Sequence, residues 1–293
     1  MSVSTARFAW LSQAARLSVL GVALTVAGCE TMGRGMSGAG VAEMDEDKSG
    51  AQATNIGSLS DVIQRNPNDP SAYNTRGAAY AKTGRFQDAI ADFTKAVQIN
   101  PGFAPAYTNR GLAYRQINKG DAALADFSRA IQADPNYGPA YLGRANLLRA
   151  QNNYNEAFAD LSQAIRLSPE SAQPYHARGL IYQRQGQHKQ AINDFDAAID
   201  RDPFAGAPYQ ARATSLMAVG KYEQAAEDFN AALNVDNRSA DAWAGRGMAY
   251  EKLGDKAKAT ESYQRALVVD ASNAAAKDGL SRLGGGRSAG GFF

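Results

Sequence analysis

Along most of this chain, apolar and small residues return in pairs of short stripes. In residues 70–103, Ala72, Tyr73, Arg76, Gly77 and Tyr80 fall at helical intervals, and after a polar break Phe86, Ala89, Ile90, Phe93, Ala96 and Val97 form a second stripe. Gly84 stands between the stripes, and its equivalents are Asn118, Asn152, Gly186, Gly220 and Gly254. Gly and Asn are the residues that enter the left-handed region at least cost, so the first helix is expected to end there. Pro101, Pro135, Pro169 and Pro203 open the next connection, where a helix cannot continue. The pattern predicts antiparallel helix hairpins, one after another, in an all-α chain.

The hairpins recur with a period of 34. Tyr73, Tyr107, Tyr141, Tyr175, Tyr209 and Trp243 keep that spacing, as do Ala89, Ala123, Ala157, Ala191, Ala225 and Ala259, with no insertion across six copies. One hairpin cannot bury its apolar face alone, whereas stacked neighbours can, so the expected architecture is an α-solenoid. Paired small residues such as Gly77 and Ala89 are expected to let the two helices of a hairpin approach closely.

These residues resemble the tetratricopeptide repeat (TPR), whose pattern is aromatic at the fourth place and small at the eighth. An aromatic at the eleventh, alanine at the twentieth and twenty-seventh and proline at the thirty-second complete it. Six copies over residues 70–273 cover about 70% of the chain. Ala145 and Ala213 depart at the eighth place, Leu148 and Leu216 at the eleventh, and Asn237 and Ala271 replace the proline. Leu59, Val62 and Ile63 fit a leading half-repeat over 58–69, and Leu280 and Leu283 fit a capping helix over 274–283. Residues 284–293, ending Phe292-Phe293, are expected to be disordered.

Arg76, Arg110, Arg144, Arg178, Arg212 and Arg246 hold the seventh place of every copy. Asp92, Asp126, Asp160, Asp194 and Asp228 hold the twenty-third, where the last copy has Ser262. Antiparallel packing brings those two places together, which predicts a ladder of structural ion pairs, within or between hairpins.

Function has to come from surfaces the repeat does not itself require. The resemblance implies that the first helix of each hairpin lines a concave groove. It assigns to that groove Asn74, Lys82, Thr108, Leu112, Arg115, Gln116, Leu142, Asn146, Arg149, His176, Leu180, Gln183 and Arg184, with Met217, Met248, Glu251 and Lys252 beyond. Leucines with Arg115, Arg149 and Arg184 suit a peptide bearing acidic or C-terminal carboxylate groups, since guanidinium forks carboxylates. The fifth place reads Asn74, Thr108 and Leu142 instead of lysine, so the clamp by which some relatives hold chaperone tails is missing.

The N-terminus points to a compartment. Leu17–Ala27 is an apolar run of eleven residues, about 16 Å of helix and too short to span a bilayer, so it reads as the core of a signal peptide. Val26-Ala27-Gly28-Cys29 resembles the lipobox of bacterial lipoproteins, which implies a leader over 1–28 and lipidation of Cys29. Residues 29–57, rich in Gly, Ser, Ala and acids, read as a flexible tether. The same resemblance implies that Glu30 at the second mature position, where an aspartate would favour retention in the inner membrane, directs the protein toward the outer membrane, facing the periplasm.

Charge and composition then remove alternatives. Of 31 basic and 29 acidic residues, Arg7 and Arg16 are the only charges in 1–28, so the remainder balances and offers no field for nucleic acid. One cysteine excludes an intramolecular disulfide, two histidines leave little for a metal centre, and no phosphate loop, nucleophile elbow or H-E-x-x-H helix is present. His188 is expected to be solvated near a hairpin turn. Without a cofactor, metal or catalytic set, the expected molecule is a non-enzymatic scaffold for protein or peptide partners, held to the membrane by its lipid. By resemblance it is an adaptor for a periplasmic protease or peptidoglycan hydrolase. The alternative is an assembly or pilotin lipoprotein of a pilus, secretion or outer-membrane insertion machine.

Overall fold

A computed structural model of the chain describes residues 56–284. The expected leader, Cys29, nearly all of the tether and residues 285–293 lie outside the described residues. Helix α1 covers 56–65, so Ile56 and Gly57, assigned above to the tether, are already helical. Six hairpins follow: α2 (Pro70–Lys82) with α3 (Phe86–Ile99), α4 (Ala104–Gln116) with α5 (Gly120–Ala133), and α6 (Gly138–Ala150) with α7 (Tyr154–Leu167). The second three are α8 (Ala172–Arg184) with α9 (His188–Arg201), α10 (Gly206–Ala218) with α11 (Tyr222–Val235), and α12 (Ala240–Lys252) with α13 (Lys256–Val269). Helix α14 (Ala274–Gly284) closes the stack and runs one residue past the expected cap. The described residues form an all-α TPR-type solenoid.

The turns explain the hairpins. Gly84, Asn118, Asn152, Gly186, Gly220 and Gly254 all have positive φ, with Asn118 at 58° and Asn152 at 62°. That geometry lets the Arg85 amide return to the Tyr80 carbonyl at 2.9 Å, with Lys119 to Tyr114 and Asn153 to Leu148 repeating it. Between hairpins, a carboxylate or amide at the thirty-first place accepts from the amide two residues on: Gly102 to Asn100, Asn136 to Asp134, Arg238 to Asp236 and Ser272 to Asp270, all at 2.8–2.9 Å.

The core is a row of buried rings at the twenty-fourth place, among them Phe93, Phe127, Phe195 and Tyr263. A methyl on Gly77 would stand 2.7 Å from the Phe93 ring and one on Gly143 2.5 Å from Phe127. The eighth-place glycine thus meets the ring sixteen residues on, and a methyl on Gly111 would also stand 3.2 Å from the Ala123 carbonyl, the close approach of the eighth and twentieth places that the sequence led one to expect. Where alanine holds the eighth place, Ala145 shares a core cluster with Leu161 and Ala213 one with Phe229.

Each first helix touches the first helix of the next hairpin (α2 with α4, α4 with α6, and on to α12 with α14), while no second helix touches another. Closer spacing on the first-helix side makes it the inner, concave face of the stack.

Candidate protein-binding groove

Two cavities open on that face. One, of about 300 Å³, is lined by Lys82 from α2, Phe86 and Phe93 from α3, and Leu112, Arg115 and Gln116 from α4. The other, of about 440 Å³, lies between α6, α8 and α10 and is lined by Arg149, Tyr154, Leu180, Gln183, Arg184 and Thr214. Neither has an acidic residue in its lining. Arg115 and Arg184 make no ion pair among the described residues, and the buried Nε of Arg149 has no hydrogen-bond partner. The second cavity thus has a leucine floor and two cations with no counter-charge.

Other expected groove residues are placed differently. Thr108 is 2% exposed and its Oγ1 has no partner, so it lies beneath the groove and does not line it. It belongs to α4, which is packed against both α2 and α6, and a short side chain there is covered. Asn74 accepts from Asn109 Nδ2 at 2.9 Å, tying α2 to α4. Gln183 lines the second cavity yet spends its Nε2 on the Ala211 carbonyl and Ser215 Oγ, both at 2.8 Å. Leu142 lies in a separate cleft with Ser168, Glu170 and Gln173, and Asn146 lines none of the three. His176 rests its ring 5.8 Å from that of Phe195, and burial, then Arg149, lowers its pKa from the ordinary 6.5, so the imidazole is neutral at pH 7. His188 is half-buried, with an unpartnered Nδ1, where solvation was expected. It occupies the place of Phe86, Tyr154 and Tyr222 and is half-buried as they are.

The seventh-place arginines face the other way. Nε and Nη2 of Arg110 donate to both oxygens of Asp126 at 2.7 and 2.8 Å, and Arg76–Asp92, Arg144–Asp160, Arg178–Asp194 and Arg212–Asp228 repeat this fork. The pairs join the two helices of one hairpin. A further arm, unforeseen from the sequence, reaches the preceding hairpin: Nη1 donates to Ser60 from Arg76, Thr94 from Arg110, Ser128 from Arg144, Ser162 from Arg178, Asp196 from Arg212 and Asn230 from Arg246. The hydrogen bond to aspartate raises each of the first five guanidiniums above its ordinary pKa, whereas burial lowers that of Arg246.

The cap also holds a clamp that sequence reasoning missed. Arg282 of α14 forks both carboxylate oxygens of Glu251 at 2.8 Å, and the buried Tyr263 hydroxyl donates to the same carboxylate at 2.6 Å. Glu251, assigned to the groove, is thus occupied in closing the stack.

A stack of 34-residue hairpins with an open inner face and an ion-pair ladder defines a helical-repeat protein. Sequence models described as tetratricopeptide repeat match residues 70–103, 104–137, 172–205 and 211–276, and one described as TPR repeat matches 145–186. The chain belongs to the tetratricopeptide repeat family, whose repeats mark a scaffold for protein–protein interaction. No curated protein matches the sequence significantly.

Among solved structures, a chain of the APC/C hetero-tetramer Cut9–Hcn1 aligns with TM-score 0.69 at 18% identity over 80% of this chain, which spans under half (46%) of that chain. PilW, described as a widely conserved type IV pilus biogenesis factor, aligns with TM-score 0.64 at 17% identity over 72% of this chain and 98% of its own. YrrB, described as a TPR protein with an unusual peptide-binding site, aligns with TM-score 0.55 at 24% identity over 64% and 96%. At these identities the likeness is one of fold.

Proposed function

We propose that this chain is a non-enzymatic, lipid-anchored scaffold of the bacterial periplasm that takes an acidic, leucine-bearing peptide segment of a partner in its concave groove. The observation that carries the reading is the cavity of about 440 Å³ with Leu180 in its lining and Arg149 and Arg184 uncompensated at its edge. A carboxylate entering it meets guanidinium donors without displacing an internal acid, and an apolar side chain beside it covers leucine. Charge reversal at Arg149 and Arg184 tests it: binding of a fluorescent acidic-leucine peptide falls at least tenfold, whereas a basic-leucine peptide gains.

The anchoring part rests on the lipobox-like run ending at Cys29. Mass spectrometry of the mature N-terminus is expected to find acylated Cys29, and carbonate washing is expected to leave the protein in the outer-membrane fraction. On this reading the partner is a periplasmic protease or peptidoglycan hydrolase. The second reading, an assembly lipoprotein of a pilus or secretion machine, draws on the shared fold of PilW. Deletion of the gene separates them, since loss of piliation favours the second and altered hydrolase activity the first.

A further inference from the structure

The five internal ladder rungs show what this arginine fork binds. Each holds a carboxylate through Nε and Nη2, the two donors of one guanidinium edge, at 2.7–2.8 Å. The sixth copy keeps the arginine and lacks the acid. Nε of Arg246 donates to Ser262 Oγ at 3.0 Å, Nη1 to Asn230 Oδ1 at 2.8 Å, and the guanidinium lies 4.3 Å from the Trp243 ring. All three partners are neutral. Nη2 makes no hydrogen bond among the described residues and is not a buried atom, so that corner of the fork opens to solvent.

The side chain at the twenty-third place is correspondingly shorter: serine ends where the aspartate carboxyl begins. Ser262 Oγ already donates to the Lys258 carbonyl at 2.7 Å and so serves Arg246 as a neutral acceptor with no charge. Two other rungs are reachable from outside. Arg144 and Asp160 line a surface cleft of about 380 Å³, and Arg212 and Asp228 line another of about 280 Å³, both on the second-helix side. We infer that Arg246, framed by Ser262, Asn230 and Trp243, is a binding site for a single carboxylate, which completes the sixth rung from outside the chain in the way the aspartates complete the other five.

The site lies apart from the concave groove and does not depend on the reading given for it. A carboxylate suits the fork better than a halide because one oxygen takes the open Nη2 while the other matches the spacing to Nε, whose hydrogen turns to it from the buried Ser262 Oγ. The carboxylate is either a free small anion or the side chain of an Asp or Glu on a partner, and the two sources can be told apart.

The test follows the arginine Nε–H resonances by ¹H–¹⁵N NMR of the full chain during titration with sodium acetate at constant ionic strength, with sodium chloride as the matched control. Arg246 is expected to shift saturably, half-complete on the order of 10 mM, while Arg144 stays in place. Ser262→Asp fills the site internally, and its Arg246 is expected to bind acetate at least tenfold more weakly. Because the same aspartate is accommodated in five other copies, this variant is expected to fold. A capped Gly-Asp-Gly peptide shifting Arg246 as acetate does identifies a partner side chain as the ligand; a response to acetate alone identifies a free anion. Equal movement of Arg246 in acetate and chloride, or an unchanged acetate response in Ser262→Asp, overturns the proposal.

Discussion

Arg110 and Arg246 hold the same place in their repeats and meet different surroundings. Arg110 is buried, with its side chain 9% exposed against an Asp126 side chain that is 3% exposed. Arg246 has a hydroxyl, an amide and an indole in place of the acid. That the arginine persists where its acid does not shows that it has two tasks. One is the ion pair that locks the helices of a hairpin. The other is the Nη1 hydrogen bond that ties each hairpin to the one before, and this second task survives in the sixth copy.

The largest expected effect comes from breaking an internal rung. Asp126→Ala strands a buried cation and should lower stability by about 3–5 kcal/mol in urea denaturation, whereas Arg110→Met with Asp126→Leu, which removes both charges, should recover most of it. Gly143→Ala brings a methyl within 2.5 Å of the Phe127 ring and should cost about 1–3 kcal/mol by the same measurement. At the sixth rung, Arg246→Met removes hydrogen bonds to neutral partners and should cost about 1–2 kcal/mol, clearly less than Asp126→Ala.

The smallest effect is local to the closing helix. Hydrogen bonds from Arg282 and then Tyr263 hold the Glu251 carboxyl down from 4.5 to about 2. A depressed folded pKa contributes stability that is present above pH 4.5 and is lost as the pH falls toward 2. Amide hydrogen exchange should therefore show α14 losing protection across that window, and Glu251→Gln should reduce the pH dependence while weakening the cap above pH 4.5, where the carboxylate is ionised.

Much of this was readable from the sequence because a fixed period of 34 leaves few ways to stack the chain. The turn residues gave the hairpins directly, since among the described residues only Gly or Asn stands at the six positions of positive φ. The fork between the seventh and twenty-third places followed from antiparallel packing. The second arm was harder to read because its acceptors differ chemically: Ser60, Thr94, Ser128, Ser162, Asp196 and Asn230 share only a side-chain oxygen. The thirty-first place carried a similar signal in Asn100, Asp134, Asp202, Asp236 and Asp270, whose side chains make the connecting turns.

The groove was less legible. Position within a helix says which way a side chain points, and not whether a neighbour spends it or covers it. Gln183 and Asn74 are spent on adjacent helices and Thr108 is covered, while the half-buried Arg149 and the exposed Arg184 remain for a ligand.

The arginines thus divide into those that hold the stack and those that face a partner, and one paired measurement tests that division. Arg149→Glu with Arg184→Glu, and Arg110→Gln separately, are compared for binding of a capped, labelled acidic-leucine peptide by fluorescence anisotropy, with thermal unfolding recorded on the same samples. The groove variant is predicted to lose peptide binding at least tenfold with its melting temperature unchanged, and the ladder variant to melt several degrees lower while binding normally when folded. A groove variant that binds as well as the wild type, or a ladder variant that melts unchanged, would contradict it.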